Sequence, residues 1–424
     1  MRFIVTFTLC LLLSATLLAA GHARVRVATV HDPITPVIAQ FLHRTMEEAA
    51  RQGDSLVLIE MDTPGGLDSA MREVVRDIFA SRVPVAVHVA PSGGRAASAG
   101  AVITLAADIA AMAPGTNIGA AHPVTIGEKA DKTMEEKVVN DAEAYVEGIA
   151  RKRGRNESLA RSMVRDSISL SADKALAGHV IDIIARDRAD LLRQLEGRRI
   201  SRDGRETVLR LADAQVVPAK MGTVERILNT ISNPDVAYVL MMLGMLGLFF
   251  ELSTPGAVLP GVIGGIALIL ALFAFQTLPV NYAGVLLILL ALILFIAEIK
   301  VVSHGMLTLG GVVAMVLGSL MLFESPEPYL RVSWSIIVVT VLATTGFFVF
   351  AVAKALRIHR QRPTTGREGL IGQDGRAEGE ITAHGKVFVR GEYWDAWSDE
   401  PIAAGSSVVV EAVEGMRLKV KKIS

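Results

Sequence analysis

Cysteine is almost absent from this sequence of 424 residues: Cys10 is the only one, and it lies inside an apolar run at the amino terminus. Beyond that run the chain therefore has no disulfide bond, no thiol nucleophile and no cysteine-based metal site. An excess of either charge is absent as well, because 43 Lys and Arg residues balance 43 Asp and Glu residues. The overall charge thus gives no argument for a nucleic-acid-binding protein.

Charged residues make up only 20% of the chain and hydrophobic residues 51%, a balance typical of a protein partly dissolved in lipid. Residues 1–23 are predicted to form a secretory signal peptide. Arg2 gives it a positive start, Phe3–Ala20 an apolar segment, and Gly21–Ala23 small residues around a cleavage point. An uncleaved anchor helix is the alternative. In both cases the domain that follows is expected to be exported.

Residues 236–357 predict an all-α membrane domain with about five spans. The candidate spans are Val236–Phe250, which is short, and then Ala257–Phe275, Tyr282–Glu298, Gly305–Phe323 and Val332–Leu356. Lys354 and Arg357 close the last span, and further arginines follow it. Because positive flanks stay in the cytoplasm, the carboxyl terminus is expected inside and the amino-terminal domain outside.

Two further units flank these spans. Residues 24–195 alternate β-rich runs with helical periodicity, which predicts an α/β domain with a mostly parallel sheet. Residues 196–235 are charged and are interpreted as a linker with a juxtamembrane helix. Residues 365–424 contain short strand candidates separated by glycine or acidic turns, which predicts a small all-β barrel of the OB type. The acidic segment Glu392–Glu400 would repel phosphate, so nucleic acid is not expected there.

The strongest chemical signal is Ser98, in the small-residue segment Pro91–Gly100 between a predicted strand and a predicted helix. A serine at such a turn points its hydroxyl at the helix amino terminus, where free N–H groups favour developing negative charge. A tight packing corner is the alternative. Val102, Ile103 and the next strand, Ile109–Met112, are expected to make the surrounding walls apolar.

A second turn, Asp62–Gly66 (DTPGG), follows the preceding predicted strand. Its glycines allow a sharp turn that exposes backbone N–H groups. The N–H groups of Gly66 and Ala99 could together form an oxyanion hole, since a tetrahedral intermediate needs two donors.

Two residues are candidates for the base that would activate Ser98. Lys137 borders the apolar stripe of a long predicted helix, and it would act as a neutral amine if drawn into a cleft. His122 needs no such desolvation. The spacing of the residues does not choose between them.

These segments resemble the long-form NfeD family, which are membrane-bound ClpP-class serine proteases also called stomatin operon partner proteins. The resemblance covers nearly the whole chain, through DTPGG at Asp62–Gly66, AASAG at Ala96–Gly100, APGTNIGA at Ala113–Ala120, FELSTPG at Phe250–Gly256, GREGLIG at Gly366–Gly372 and GEYWDA at Gly391–Ala396. It implies a ClpP/crotonase-like α/β domain, a polytopic all-α membrane domain and a carboxyl-terminal OB-fold.

The resemblance also implies a Ser-Lys dyad of Ser98 and Lys137, although His122 stands at the spacing of the histidine base in the Clp peptidases proper. It implies cleavage of hydrophobic segments in stomatin-like or flotillin-like partners, a homo-oligomer at the lipid bilayer, and no cofactor or metal ion. A non-enzymatic membrane scaffold that docks a stomatin-like protein is the alternative. Acyl-CoA chemistry on the same fold is disfavoured by the export signal.

Overall fold

The computed structural model describes residues 23–124, 132–202, 204–253, 258–301, 303–325, 327–360 and 369–423. The chain divides into two compact units, Met1–Ala291 with Val312–Val341, and Leu292–Gly311 with Leu342–Ser424. Most of the predicted signal peptide, residues 1–22, lies outside the described residues.

The amino-terminal part of the first unit alternates strands and helices, as predicted. Its strands are β1 Arg24–Val30, β2 Leu56–Met61, β3 Val85–Val89, β4 Arg95–Ala96, β5 Ile109–Met112, β6 Asn117–Gly119, β7 Ser169–Ser171, β8 Ile183–Ile184, β9 Arg199–Arg202, β10 Arg205–Val208 and β11 Gln215–Pro218. Its helices are α1 Pro36–Gln52, α2 Asp68–Ala80, α3 Ala99–Ala106, α4 Lys132–Lys152, α5 Glu157–Arg165, α6 Ala172–Ala177, α7 Arg188–Leu195 and α8 Thr223–Ile231.

The main sheet has the order β11-β1-β2-β3-β5-β8, and every neighbouring pair in it is parallel. Its central strands are buried on both faces, which explains their continuous apolar sequence. The smaller sheet β4-β6-β7 lies beside it and carries the turn before Ser98. The α/β domain expected from the sequence is confirmed.

The segment 196–218 is structured, in contrast to the linker interpretation. Strands β9 and β10 pair antiparallel, and β11 adds to the edge of the main sheet beside β1. Strand β11 is not apparent from the sequence, because it is a short and mostly exposed edge strand without an apolar run. The expected juxtamembrane helix is present as α8.

Helix α8 is fastened to α1 by an ion pair. Arg44 donates to both carboxylate oxygens of Glu225, over 2.9 and 2.7 Å. The hydrogen bond from Arg44 holds the pKa of Glu225 below its usual range. This stabilisation is therefore present above the pKa that Glu225 has in the unfolded chain, and it is lost as the pH falls through the lower folded value.

Helix α3 is buried along its whole length and is held at its carboxyl end by two arginines. Arg153 Nε donates to Ala106 O over 2.7 Å, and Arg155 Nη1 donates to Ala107 O over 3.0 Å. Arg155 also pairs with Asp182 at 2.7 Å. Cations at this end complement the helix dipole and satisfy carbonyls that lack intrahelical partners.

Five apolar helices follow: α9 Pro234–Ser253, α10 Val258–Phe275, α11 Tyr282–Lys300, α12 Met306–Met321 and α13 Trp334–Arg360. Four apolar stretches in the described residues are long enough to cross a bilayer, and α12, with 16 residues, is shorter. The sequence predicts instead that the first of the five spans is short and the fourth long. Helix α12 ends early because Phe323 instead pairs with Val280 in an extended bridge.

The carboxyl-terminal strands β12 Asp374–Ala377, β13 Gly385–Val389, β14 Glu392–Trp397, β15 Ser407–Glu414 and β16 Arg417–Lys422 form a closed barrel. Their order, β12-β13-β14-β16-β15, is that of an OB-fold. Trp394 packs against the barrel core, whereas Tyr393 is exposed beside Phe388. The predicted all-β domain is confirmed.

We expect Arg155→Met to lower the free energy of unfolding of the α/β domain by about 3 kcal/mol, because it leaves carbonyls of α3 and the Asp182 carboxylate without their buried cation. Denaturant unfolding of the purified chain measures the change. Arg151→Met is the matched control, since Arg151 is an exposed arginine on the same stretch of chain. An equal effect of the two substitutions would contradict this role of Arg155.

Candidate active site

Ser98 is the residue between β4 and α3, and it has an unusual backbone conformation. Its φ is 46° and its ψ is −114°. A positive φ of this kind is rare for residues other than glycine. The Ser98 N–H donates to Ala120 O over 2.7 Å, which fixes this conformation from the neighbouring loop. Strain of this kind costs about 1–3 kcal/mol and persists only where the surroundings impose it. The predicted strand-to-helix turn is thus observed at Ser98.

The turn Asp62–Gly66 lies directly against Ser98. Asp62 Oδ1 accepts from the Arg95 N–H over 3.0 Å, and the Thr63 N–H donates to Arg95 O over 2.8 Å. At Gly65, where φ is +128°, a Cβ atom would lie 2.9 Å from Ser98 Cβ and 3.4 Å from Ser98 Oγ. Only glycine therefore allows this close approach.

The two predicted oxyanion donors flank the serine. Gly65 O and the Leu67 N–H both form hydrogen bonds with the backbone of Ile34. Because backbone groups alternate in direction along an extended segment, the Gly66 N–H points to the side away from Ile34. Ala99 is the first residue of α3, where backbone N–H groups have no partner within the helix. Gly66, Ala99 and Ser98 line one cavity. The structure thus brings these three residues together.

This cavity has a volume of about 140 Å³ and mostly apolar walls. They include Leu67, Met71, Val102, Ala142, Tyr145, Val146 and Leu330. Of the walls expected from the sequence, Val102 is confirmed. The prediction that Ile103 and β5 line the cavity is wrong, because both are fully buried in the domain core.

Tyr145 and Arg72 form one polar corner of the cavity. The Arg72 guanidinium lies 4.3 Å from the centre of the Tyr145 ring and pairs with Asp68 at 2.8 Å. Burial raises the pKa of the Tyr145 hydroxyl above its usual range. In the sequence Tyr145 has the helical spacing of an apolar stripe, and this spacing gives no signal of its place in the site.

The two candidate bases lie in different surroundings. His122 lines a second, open cavity of about 550 Å³ together with Ser98, and its Nδ1 lies 2.8 Å from Val164 O. Since a carbonyl only accepts, Nδ1 carries the proton and Nε2 is free to accept one. Lys137 is exposed in the first half of α4, and it is not among the described residues that line either cavity. Ala142, five residues later, does line the smaller cavity.

Comparison with known families gives three matches. Residues 24–218 match the NfeD1b N-terminal domain, residues 235–354 the NfeD integral membrane domain, and residues 367–422 the NfeD-like C-terminal, partner-binding domain. The chain is also 34% identical to the membrane-bound protease PH1510 of Pyrococcus horikoshii, over 98% of this chain and 97% of that protein.

The chain belongs to the NfeD family.

Two further relatives accompany these matches. The membrane protein NfeD1b of Bacillus subtilis is 28% identical over 95% of this chain and 94% of its own length. A solved structure of the 1510-N membrane-bound stomatin-specific protease, a lysine-to-alanine variant in complex with a substrate peptide, is 31% identical. It covers 50% of this chain and 98% of its own, with a TM-score of 0.46. As a member of the NfeD family with four stretches able to span a bilayer, the chain is a membrane protein.

We expect Gly65→Ala to destabilise the α/β domain more than Gly53→Ala does. Both glycines have positive φ, at +128° and +66°, but a Cβ on Gly53 meets no atom within 4 Å. Gly53→Ala should therefore cost about 1 kcal/mol from the backbone alone, whereas Gly65→Ala adds the contact with Ser98. Denaturant unfolding of both variants tests this, and equal losses would mean that the turn does not press on Ser98.

Proposed function

We propose that the chain is a membrane-anchored serine endopeptidase in which Ser98 is the nucleophile and the Gly66 and Ala99 N–H groups form the oxyanion hole. The observation that carries the proposal is the conformation of Ser98, held at the amino end of a buried helix beside two backbone donors in an apolar cavity. Full-length similarity to a protein described as a membrane-bound protease supports it.

The chemistry follows from this arrangement. Ser98 Oγ attacks the substrate carbonyl carbon while its proton passes to the base, and the carbonyl oxygen becomes negative in the oxyanion hole. When the intermediate collapses, the carbon–nitrogen bond breaks and the base gives the proton to the leaving amine. Water then adds to the acyl-enzyme and gives a proton to the base. The ester bond to Ser98 Oγ breaks, the base returns the proton to Ser98 Oγ, and the acid is released.

Lys137 is our proposed base, because the helix that carries it resembles the corresponding helix of the family. With Ser98 it would form a ClpP-class Ser-Lys dyad. Its exposed position requires the amino-terminal half of α4 to approach Ser98 when substrate binds. His122 is the second candidate, supported by its place in the open cavity with Ser98 and by its free Nε2. Both alternatives give the same products.

The proposed substrates are hydrophobic segments of membrane proteins such as stomatin-like or flotillin-like partners. Most of the lining around Ser98 is apolar, and of its charged residues Asp68 and Arg72 already pair with each other. A buried substrate charge would therefore find few partners there, which is costly. Residues 24–195 would carry the chemistry outside the cytoplasm, residues 236–357 would hold it in the membrane, and residues 365–424 would dock the partner inside. We also propose that the chain assembles with further copies of itself into a homo-oligomer.

A non-enzymatic scaffold is the alternative function. A membrane protein with a separate barrel domain of the partner-binding type could bind a stomatin-like protein without cutting it. In that case Ser98 would only be a tight packing corner, and it would not react as a nucleophile.

We expect Ser98→Ala to abolish labelling by a fluorophosphonate probe and to lower cleavage of apolar peptides by roughly three orders of magnitude or more. Only an activated serine reacts with the probe, so labelling separates the enzyme from the scaffold. Ser92→Ala is the matched control, because Ser92 is exposed in the same loop. Absence of Ser98-dependent labelling and cleavage in the full chain would refute the proposed activity.

We expect Lys137→Ala to lower peptide cleavage about as much as Ser98→Ala does, because a nucleophile without its base loses its activation. His122→Ala should retain most of the activity. The kcat for an apolar peptide, measured for both variants, decides between the two bases. The reverse pattern would assign the base to His122.

A further inference from the structure

The outer loop between α12 and α13, of which residues 322–325 and 327–333 are described, is fastened at both of its ends. Asn281 Nδ2 donates to Glu324 Oε2 over 2.7 Å, next to the bridge between Val280 and Phe323. At the other end the Ser333 N–H donates to Asp235 Oδ1 over 2.7 Å, at the start of α9. The loop is thus positioned by the outer ends of α9 and α11.

The middle of this loop lies on the catalytic cleft. Residues Pro328–Leu330 form a single 3-10 turn, and the Tyr329 hydroxyl lies 3.0 Å from the position that a Cβ on Gly65 would occupy. Ser98 Oγ lies 3.4 Å from the same position. Tyr329 therefore approaches the reactive hydroxyl over the Gly65 turn.

Tyr329 also lines three neighbouring cavities around Ser98 and the Gly66 turn. It lines the apolar cavity of about 140 Å³, the open cavity of about 550 Å³, and a third of about 60 Å³ beside Gly66 and Leu67. Ser98 lines the two larger ones. A polypeptide with its carbonyl at Gly66 and Ala99 would extend through the two cavities that Ser98 lines, and Tyr329 lines both of them.

We propose that the loop is a closed strap over the active site, in which Tyr329 occludes Ser98 and must withdraw before a polypeptide can bind. This inference rests on the proposed function, since it assigns the cleft to a polypeptide substrate. The Tyr329 hydroxyl forms no hydrogen bond with another described residue, so its withdrawal breaks packing contacts only. The strap opens by movement of the loop relative to its anchors at Asp235 and Asn281.

The test measures access to position 98 without relying on catalysis. In the full chain with Cys10→Ala, Ser98→Cys is the single thiol, and its rate of alkylation by a bulky maleimide reports the open cleft. If the strap is closed about nine-tenths of the time, adding Tyr329→Ala should raise that rate about tenfold. Tyr329→Phe keeps the ring and should leave the rate unchanged.

Two controls sharpen the result. Tyr282→Ala removes an exposed tyrosine at the outer end of the neighbouring helix α11 and should have no effect. Asp235→Ala loosens one anchor without entering the cleft and should also raise the rate. A rate unchanged by Tyr329→Ala would overturn the strap, as would Tyr329→Phe acting as strongly as Tyr329→Ala.

The two proposals fail separately in this design. If Tyr329→Ala raises alkylation while native Ser98 never reacts with a serine probe in any variant, the strap stands and the peptidase does not. If Ser98 labels and cleaves but alkylation does not respond to Tyr329→Ala, the peptidase stands and the strap does not.

Discussion

The close approach of the Gly65 turn to Ser98 is the contact on which the site depends. It places the Gly66 N–H and the serine hydroxyl at one cavity, and it is possible only because Gly65 has no side chain. The same approach holds Ser98 in its left-handed conformation, together with the bond from the Ser98 N–H to Ala120 O. Strain of this kind persists only because these surrounding contacts impose it.

Helix α3 transmits that constraint to the rest of the domain. All of its residues are buried, so its axis cannot shift without moving the core. Its amino end faces Ser98, and its carboxyl end is neutralised by Arg153 and Arg155. The helix is therefore held at both ends, and the N–H groups beside Ser98 stay fixed in space. An oxyanion hole needs such preorganisation, because donors that must reorient during the reaction contribute less.

Much of this architecture could be predicted from local patterns. The runs around β2 and β3 are apolar and bounded by turn residues, and the small residues around Ser98 indicate a close turn. The strand β11 could not be predicted, because a short and exposed edge strand has no apolar run. The environment of Lys137 could not be predicted either, because helical periodicity gives the face of a residue and not its distance from another element.

Tyr329 was beyond sequence reasoning for a different reason. It is separated from Ser98 by 231 residues, and as part of a short loop between apolar runs it carries no periodicity. Its covalent tether has a physical consequence for the proposed enzyme. A group held beside a site by a short tether acts at an effective concentration on the order of millimolar. A dilute soluble peptide competes poorly with it, whereas a substrate confined to the same bilayer is itself concentrated near the cleft. In the proposed arrangement the strap and the membrane anchor therefore favour the same class of substrate, a segment close to the membrane surface.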